Sequence, residues 1–390
     1  MKRFLLVVFA SVLFQATVHS QTDKIVLKGR VTDKATHEGI AFVSIGIEGT
    51  SIGTATNPDG YFQLKVPDEF KTKNLYFSAI GYVSGSYSML DFKPDQDIQI
   101  TLAPQSYKIE AIDVAAESLV LQRILRTASE RIPENYQEGP FGMKIFYQEQ
   151  QSLGDNAFSS NQKIIVNLYD RKGYTNPGWA NAFKDRNYAI AERQSDKQAI
   201  GFRDASNNFD ELLELDLARL SNTIMNPELL GDYKLNLEGK TTFNGDSVWT
   251  ISYSANKHDL AHTGSYYPTS FSGKLYISCA DYVVLRNEIH LTAAKENQQG
   301  RSLAVKTNAN TDVQMNLTTE YKKMNGKYVL SYMNMEKQFK GPNGTLVYVS
   351  GKAVVLNVDR SNPRPVMNRQ YLAQTTTDES FWKTFRMPAF

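Results

Sequence analysis

Strict alternation of apolar and polar residues is the feature that most limits what this chain can become. Val313, Met315, Leu317, Thr319 and Tyr321 alternate with Asp312, Gln314, Asn316, Thr318 and Glu320, a period of two that only a strand with one buried and one wet face satisfies. The pattern recurs through the C-terminal two thirds of the chain, and three Asn-Gly pairs punctuate it: Asn244-Gly245, Asn325-Gly326 and Asn343-Gly344. Asn-Gly between alternating runs is a strong hairpin signal, because a two-residue type I′ turn needs positive φ at both positions. Strands are expected over residues 144–150, 163–170, 233–243, 249–253, 272–278, 282–292, 313–321, 327–335 and 345–358. A helix around residues 209–220, carrying Leu212, Leu213, Leu215 and Leu220, breaks the series. The expectation is a large curved antiparallel sheet, an open half-barrel, covered on one side by helix.

A different texture precedes it. Residues 25–104 form short β-patterned runs separated by Gly, Pro, Asn and Asp, with a turn at Asn57-Pro58-Asp59-Gly60, where Pro58 presets φ and Gly60 takes a positive one. Seven short strands in so few residues favour a β-sandwich, since a single sheet would leave an apolar face wet. Between the two regions the period changes to 3.6. Leu121, Ile124, Leu125 and Ala128 share one face, Arg123, Arg126 and Glu130 another, with Ser118 expected as N-cap and Pro133 as terminator. This amphipathic helix is expected to pack on its own domain.

The N-terminus reads as an export signal. Lys2 and Arg3 precede an apolar run over residues 4–14, too short to span a bilayer, and Val18 and Ser20 suit a small-residue cleavage site. The chain of 390 residues has 43 Lys and Arg against 41 Asp and Glu; removal of residues 1–20 takes two positive charges and leaves the mature chain neutral. A neutral chain offers no electrostatic case for nucleic acid. Cys279 is the sole cysteine, so no intrachain disulfide can form, and no cysteine follows the apolar run to take a lipid anchor. The expected organisation is therefore a signal peptide at 1–20, a sandwich at 21–104, a linker with the amphipathic helix at 105–140 and a β-rich domain at 141–390.

Within the sandwich region, Gly29-x-Val31-x-Asp33, Gly39-Ile40-x-Phe42-Val43-Ser44-Ile45, Gly53-Thr54-x-Thr56-Asn57-x-Asp59-Gly60-x-Phe62-x-Leu64 and Ser78-x-Ile80-Gly81-Tyr82 resemble the carboxypeptidase-regulatory-like domain. The resemblance implies a transthyretin-like sandwich of the kind found at the N-termini of TonB-dependent outer-membrane receptors and other envelope proteins. It identifies a module and not an activity. A zinc carboxypeptidase would need a His-x-x-Glu pair and a second His, and none of His19, His37, His258, His262 and His290 has Glu three residues on. Carboxypeptidase activity is not expected. In the following domain the order Trp249-x-Ile251-x-Tyr253, Gly273-Lys274-Leu275-Tyr276-Ile277 and Tyr282-Val283-Val284-Leu285-Arg286-x-Glu288 is similar to that of periplasmic lipoprotein carriers, whose half-barrel shelters acyl chains.

Candidate chemistry is sparse. His258-Asp259-Leu260-Ala261-His262 has metal-ligand spacing if helical, with Asp259 in the place of a general base, but no third ligand is evident. No nucleophile elbow, Walker loop or dinucleotide fingerprint occurs, so no cofactor is expected. Cys279 is expected to pack as a small hydrophobe, and the 21 Tyr and 20 Phe to fill the core rather than stack on sugars. The sequence thus points to an exported, non-enzymatic envelope protein that binds an apolar or glycan ligand or an outer-membrane partner. Two alternatives stand beside it: a metal-dependent hydrolase using His258 and His262, and a small outer-membrane barrel suggested by the terminal Phe390, although Pro388 interrupts the strand that such a signal needs.

Overall fold

The computed structural model describes residues 24–50, 52–93, 96–105, 114–154, 160–175, 177, 185–195, 205–265, 267–294, 312–340, 344–366 and 379–385. The expected export signal, Asn343 and Phe390 lie outside them. Two compact units are present: residues 24–79 with 83–103, and residues 80–82 with those from 104 onward.

The first unit is a sandwich of seven strands: β1 (Lys24–Asp33), β2 (Ser44–Ile47), β3 (Gly53–Ala55), β4 (Tyr61–Pro67), β5 (Asn74–Ser78), β6 (Gly85–Ser88) and β7 (Ile98–Leu102). One sheet has the order β4-β1-β7, with β1 and β7 parallel, and the other the order β3-β2-β5-β6. Alternation decides the inner faces: Phe62, Leu64 and Val66 of β4 are buried while Tyr61, Gln63 and Lys65 are exposed. Phe62 meets Phe77 of the opposite sheet edge-on at 5.7 Å. Thr56, fully buried, satisfies its hydroxyl by accepting from Val43 N at 2.9 Å and donating to the Ile40 carbonyl at 2.7 Å. At the Asn57–Gly60 turn it is Asn57 whose side chain holds the backbone, accepting from Asp59 N and Tyr61 N, while Gly60 has φ 84°.

The second unit is built on ten antiparallel strands: β8 (Phe141–Leu153), β9 (Ser160–Asp170), β10 (Arg186–Ser195), β11 (Tyr233–Phe243), β12 (Asp246–Ala255), β13 (Pro268–Ser278), β14 (Val284–Ala293), β15 (Val313–Met324), β16 (Lys327–Lys340) and β17 (Leu346–Asp359). Their order is β10-β9-β8-β17-β16-β15-β14-β13-β12-β11. Each expected strand is present, most of them longer at one or both ends. β10 was not expected, because its polar sequence lacks the alternation that marks the others. The sheet is open: among the described residues β10 and β11 are its two edges and do not pair with each other, which corrects the closed-barrel alternative. The Asn-Gly hairpins form as the turn chemistry requires, Asn244 and Gly245 at φ 51° and 88° and Asn325 and Gly326 at 52° and 86°.

All but the last of the helices cover one face. The helices are α1 (Val114–Glu130), α2 (Ile132–Asn135), α3 (Ala205–Leu213), α4 (Leu217–Leu220), α5 (Leu260–Thr263) and, at the C-terminal end, α6 (Glu379–Thr384). α1 begins four residues before Ser118, which lies inside the helix rather than capping it; Pro133 falls in the first turn of α2, where its missing N–H is harmless. Leu121, Ile124, Leu125 and Ala128 are buried as the 3.6 periodicity demands, and Glu117 accepts from Leu237 N at 2.9 Å, so α1 satisfies part of the exposed edge of β11. The expected helix at 209–220 is two helices, α3 and α4, separated at Glu214–Asp216, where the Asp216 side chain leaves the helical path to join a buried ion network. The covered face is filled by aromatic and aliphatic side chains, among them the fully buried Tyr136, Tyr147, Tyr174, Tyr188, Phe141 and Phe209. On the opposite face α6 sets Trp382 and Phe385 against Phe146 of β8.

Candidate functional site

Register across the sheet orders the covered face into transverse rows. At the end where β8, β14 and β16 finish, Ala293 pairs with Val313, Phe339 with Val347 and Val347 with Leu153. These residues form an apolar group separate from the main core. One row further in, Leu291, Met315, Lys337, Val349 and Gln151 lie side by side, and the next row holds Ile289, Leu317, Met335, Gly351, Glu149 and Gln162.

This second pair of rows is charged although buried. Lys337 is 3% exposed, Glu149 and Glu211 1% each. Such groups survive burial only when paired. The Lys337 ammonium donates to both carboxylate oxygens of Glu211 on α3 at 2.6 Å. Glu149 accepts from the Tyr147 hydroxyl at 2.9 Å and from Gln151 Nε2 at 2.6 Å. Burial, then the charges of Glu149 and Glu211, push the Tyr147 hydroxyl well above the ordinary tyrosine range, so it stays a donor. Gly351 leaves room for this group: a Cβ there would come within 3.0 Å of the Tyr147 hydroxyl oxygen. The arrangement is an apolar row backed by fixed charges on the side of β16, β17 and β8, and by the apolar Leu291 and Met315 on the side of β14 and β15.

At the other end of the same face lies a larger network. Asp170 accepts from Arg186 Nε at 2.8 Å, from Arg219 Nε and Nη2 at 2.7 and 3.2 Å, and from Gly173 N at 2.8 Å. Asp216 accepts from Arg186 Nη1 and from the hydroxyls of Tyr174 and Tyr321, each at 2.9 Å. All four ionic groups are buried, two cations against two anions. Burial would raise the Asp170 carboxyl, but Arg186 and Arg219 overcome it and hold it at about 2. The network ties β9, β10 and α4 to β15 and gives α4 its seat.

The two histidines singled out in the sequence are not brought together as a pair. Asp259 caps α5 in extended conformation, so His258 precedes the helix and is exposed, and the shared helical face on which the metal reading rested does not exist. His262 is buried with both ring nitrogens engaged: Nδ1 with Asp259 Oδ1 at 2.7 Å and Nε2 with Asp232 Oδ2 at 3.0 Å. Lys257 completes the cluster with an ion pair to Asp232 at 2.9 Å. Burial lowers the basicity of His262, yet hydrogen bonds to Asp259 and Asp232 outweigh it and its pKa is raised; both carboxyls are lowered. Among the described residues no group of three or more His, Cys, Asp or Glu is arranged to hold a metal. Cys279 follows β13, half-buried, and burial raises its thiol.

No curated protein matches the chain. Among solved structures, a putative outer membrane lipoprotein-sorting protein domain from Vibrio parahaemolyticus matches at 10% identity over 66% of this chain and 95% of its own, with a TM-score of 0.25. A DUF1329 family protein from Desulfovibrio piger matches at 8% identity over 62% and 94%, with a TM-score of 0.26. Lipovitellin matches at 7% identity over 60% of this chain and 27% of its own, with a TM-score of 0.24. Residues 27–114 match the family model of the CarboxypepD_reg-like domain, the module to which the glycine and aromatic motifs pointed, and a further domain follows it.

Proposed function

We propose that this is an exported, non-enzymatic protein of the cell envelope whose second domain binds an apolar or amphiphilic ligand at the end of its helix-covered sheet face. The observation that carries the reading is the apolar row of Leu153, Ala293, Val313, Phe339 and Val347 backed by the buried Lys337–Glu211 and Glu149–Gln151 belt. The row is buried, so an acyl chain would gain by taking the place of what covers it, and on the side of Phe339, Val347 and Leu153 would be stopped by the charges behind it. The rows are two residues apart along each strand, about 7 Å, so the belt sets the depth to which a chain enters. Among the described residues of the second domain no aromatic side chain is exposed, which favours an apolar ligand over a glycan.

Catalysis has little to work with at the sites the sequence offered. His262 has no ring nitrogen free of a carboxylate, and the Cys279 thiol is less acidic than a free one. Export rests on the N-terminal signal, and an envelope location also fits the known settings of the CarboxypepD_reg-like module.

Native mass spectrometry of mature protein taken from its own envelope tests the proposal. The expected result is a second species heavier by the mass of a lipid, which disappears in Phe339→Gln. A single apo mass would overturn the ligand reading in favour of an outer-membrane protein partner, and an adduct that persists in Phe339→Gln would place the ligand elsewhere.

A further inference from the structure

The sandwich carries a cleft of its own. Strand β4 is an edge of the three-stranded sheet and β3 an edge of the four-stranded sheet, and between them opens a cleft of about 430 Å³. Gly53 and Thr54 of β3 line one side, Gln63, Leu64 and Lys65 of β4 the other, with Ile52 at the margin. Both walls are therefore strand edges, and among the described residues no strand pairs with the outer side of β4. Such an edge presents a row of backbone donors and acceptors that another extended chain can complete.

Charge selects what would complete it. On the outer face of the three-stranded sheet, Val26 pairs with Lys65, Lys28 with Gln63 and Arg30 with Tyr61. Three of these six residues are cations and none is a carboxylate. Arg30 stacks over the Tyr61 ring at 5.1 Å, and Tyr61 and Val26 remain 51% and 44% exposed. A strand laid beside β4 would place every second side chain next to Tyr61, Gln63 and Lys65, within the 4.5–5.5 Å or so at which cross-strand pairs act. Acidic residues at those positions meet Lys65 directly and Lys28 and Arg30 one strand further. A second copy of β4 would bring one lysine and no carboxylate, and so no charge complementary to Lys65, Lys28 and Arg30.

We propose that the β3–β4 cleft is a strand-addition site for an extended acidic segment of a partner protein, bound through the backbone edge of β4 and selected by Lys65, Lys28 and Arg30. The site belongs to the sandwich and is independent of the ligand reading for the second domain. The test uses the full mature chain and a fluorescent, end-blocked seven-residue peptide alternating Glu with Val, its counterpart being the same peptide with Lys for Glu. The Glu peptide is expected to bind, weakening with salt, and to slow hydrogen exchange at the β4 amides. Lys65→Glu, an exposed change, should weaken it by about tenfold or more and reverse the preference toward the Lys peptide. Equal binding of the two peptides, or binding that leaves the β4 amides unprotected, would overturn the proposal. So would sedimentation of the chain as a dimer that Lys65→Glu dissociates, since the cleft would then be filled by a second copy.

Discussion

Replacing Asp170 with Asn tests whether the buried ion network holds the second domain together. The substitution keeps the shape of the side chain but removes one of two anions that face two guanidinium groups, all four of them buried. Arg186 keeps Asp216 while Arg219 loses its ion pair with Asp170, and the new amide turns either a donor toward a guanidinium or a weaker acceptor. Breaking a buried pair from one side costs about 3–5 kcal/mol. Trp179, Trp249 and Trp382, all three tryptophans of the chain, lie in residues 104–388, so tryptophan fluorescence follows this unit and ignores the sandwich. With a urea slope of about 3 kcal/mol/M, the midpoint should fall by roughly 1–1.7 M.

The same network makes two further demands on that measurement. Arg219→Met in the Asp170→Asn background restores equal numbers of buried cations and anions, so the double variant should be more stable than the sum of the single losses by about 2 kcal/mol. Asp170 titrates at about 2 rather than at the ordinary 3.8. A carboxyl lowered by folding stabilises the native state above its unfolded pKa and loses that contribution as pH falls toward the folded value. About 2 kcal/mol of the difference between wild type and Asp170→Asn should therefore vanish between about pH 4 and pH 2. A single-variant loss below about 1 kcal/mol, or strict additivity of the two substitutions, would refute the claim that the four charges act as one unit.

His262 is raised in the folded state, so its contribution is complete below its unfolded pKa and is lost as pH rises through the higher folded one; urea midpoints should fall from about pH 6 upward, and His262→Gln should flatten that slope. Zinc analysis of mature protein and of His262→Ala should give the same substoichiometric content, whereas stoichiometric zinc lost in the variant would restore the hydrolase reading. Gly326 sits at φ 86° in the β15–β16 turn with open space around its Cα, so Gly326→Ala should cost about 1 kcal/mol of urea stability through backbone strain alone.

Most of the sheet was legible because its signals are local. Period-two alternation and the Asn-Gly turns locate β11 to β17 from neighbouring residues alone, and the sandwich strands follow from the same grammar together with the glycine motifs. β10 was missed because Arg-Asn-Tyr-Ala-Ile-Ala-Glu-Arg-Gln-Ser draws its strand character from pairing along β9, a contact that no local window contains. The single helix expected at 209–220 failed for a related reason. Its leucines are periodic enough, but Asp216 is claimed by Arg186, Tyr174 and Tyr321, which lie 30, 42 and 105 residues away.

The charged belt had a signal of another kind, one that pattern reading treats as noise. Along β16 the inward phase runs Met333, Met335, Lys337, Phe339, and along β8 it runs Ile145, Tyr147, Glu149, Gln151. A lysine and a glutamate in the buried phase of otherwise apolar strands are too costly to bury alone, so each announces a partner. Only the partner's identity needs three dimensions: Lys337 finds Glu211, 126 residues away on a helix, while Glu149 finds its donors on its own strand. The inward charge is thus readable from sequence as a demand, and the fold supplies the answer. That asymmetry also argues for function over packing at this end of the sheet. Two apolar residues of matching volume would close the core at no such cost, and replacing a buried ion pair in that way is often neutral or stabilising. Charges placed behind Phe339 and Val347 have a use if, as proposed, something apolar must enter that row and stop there.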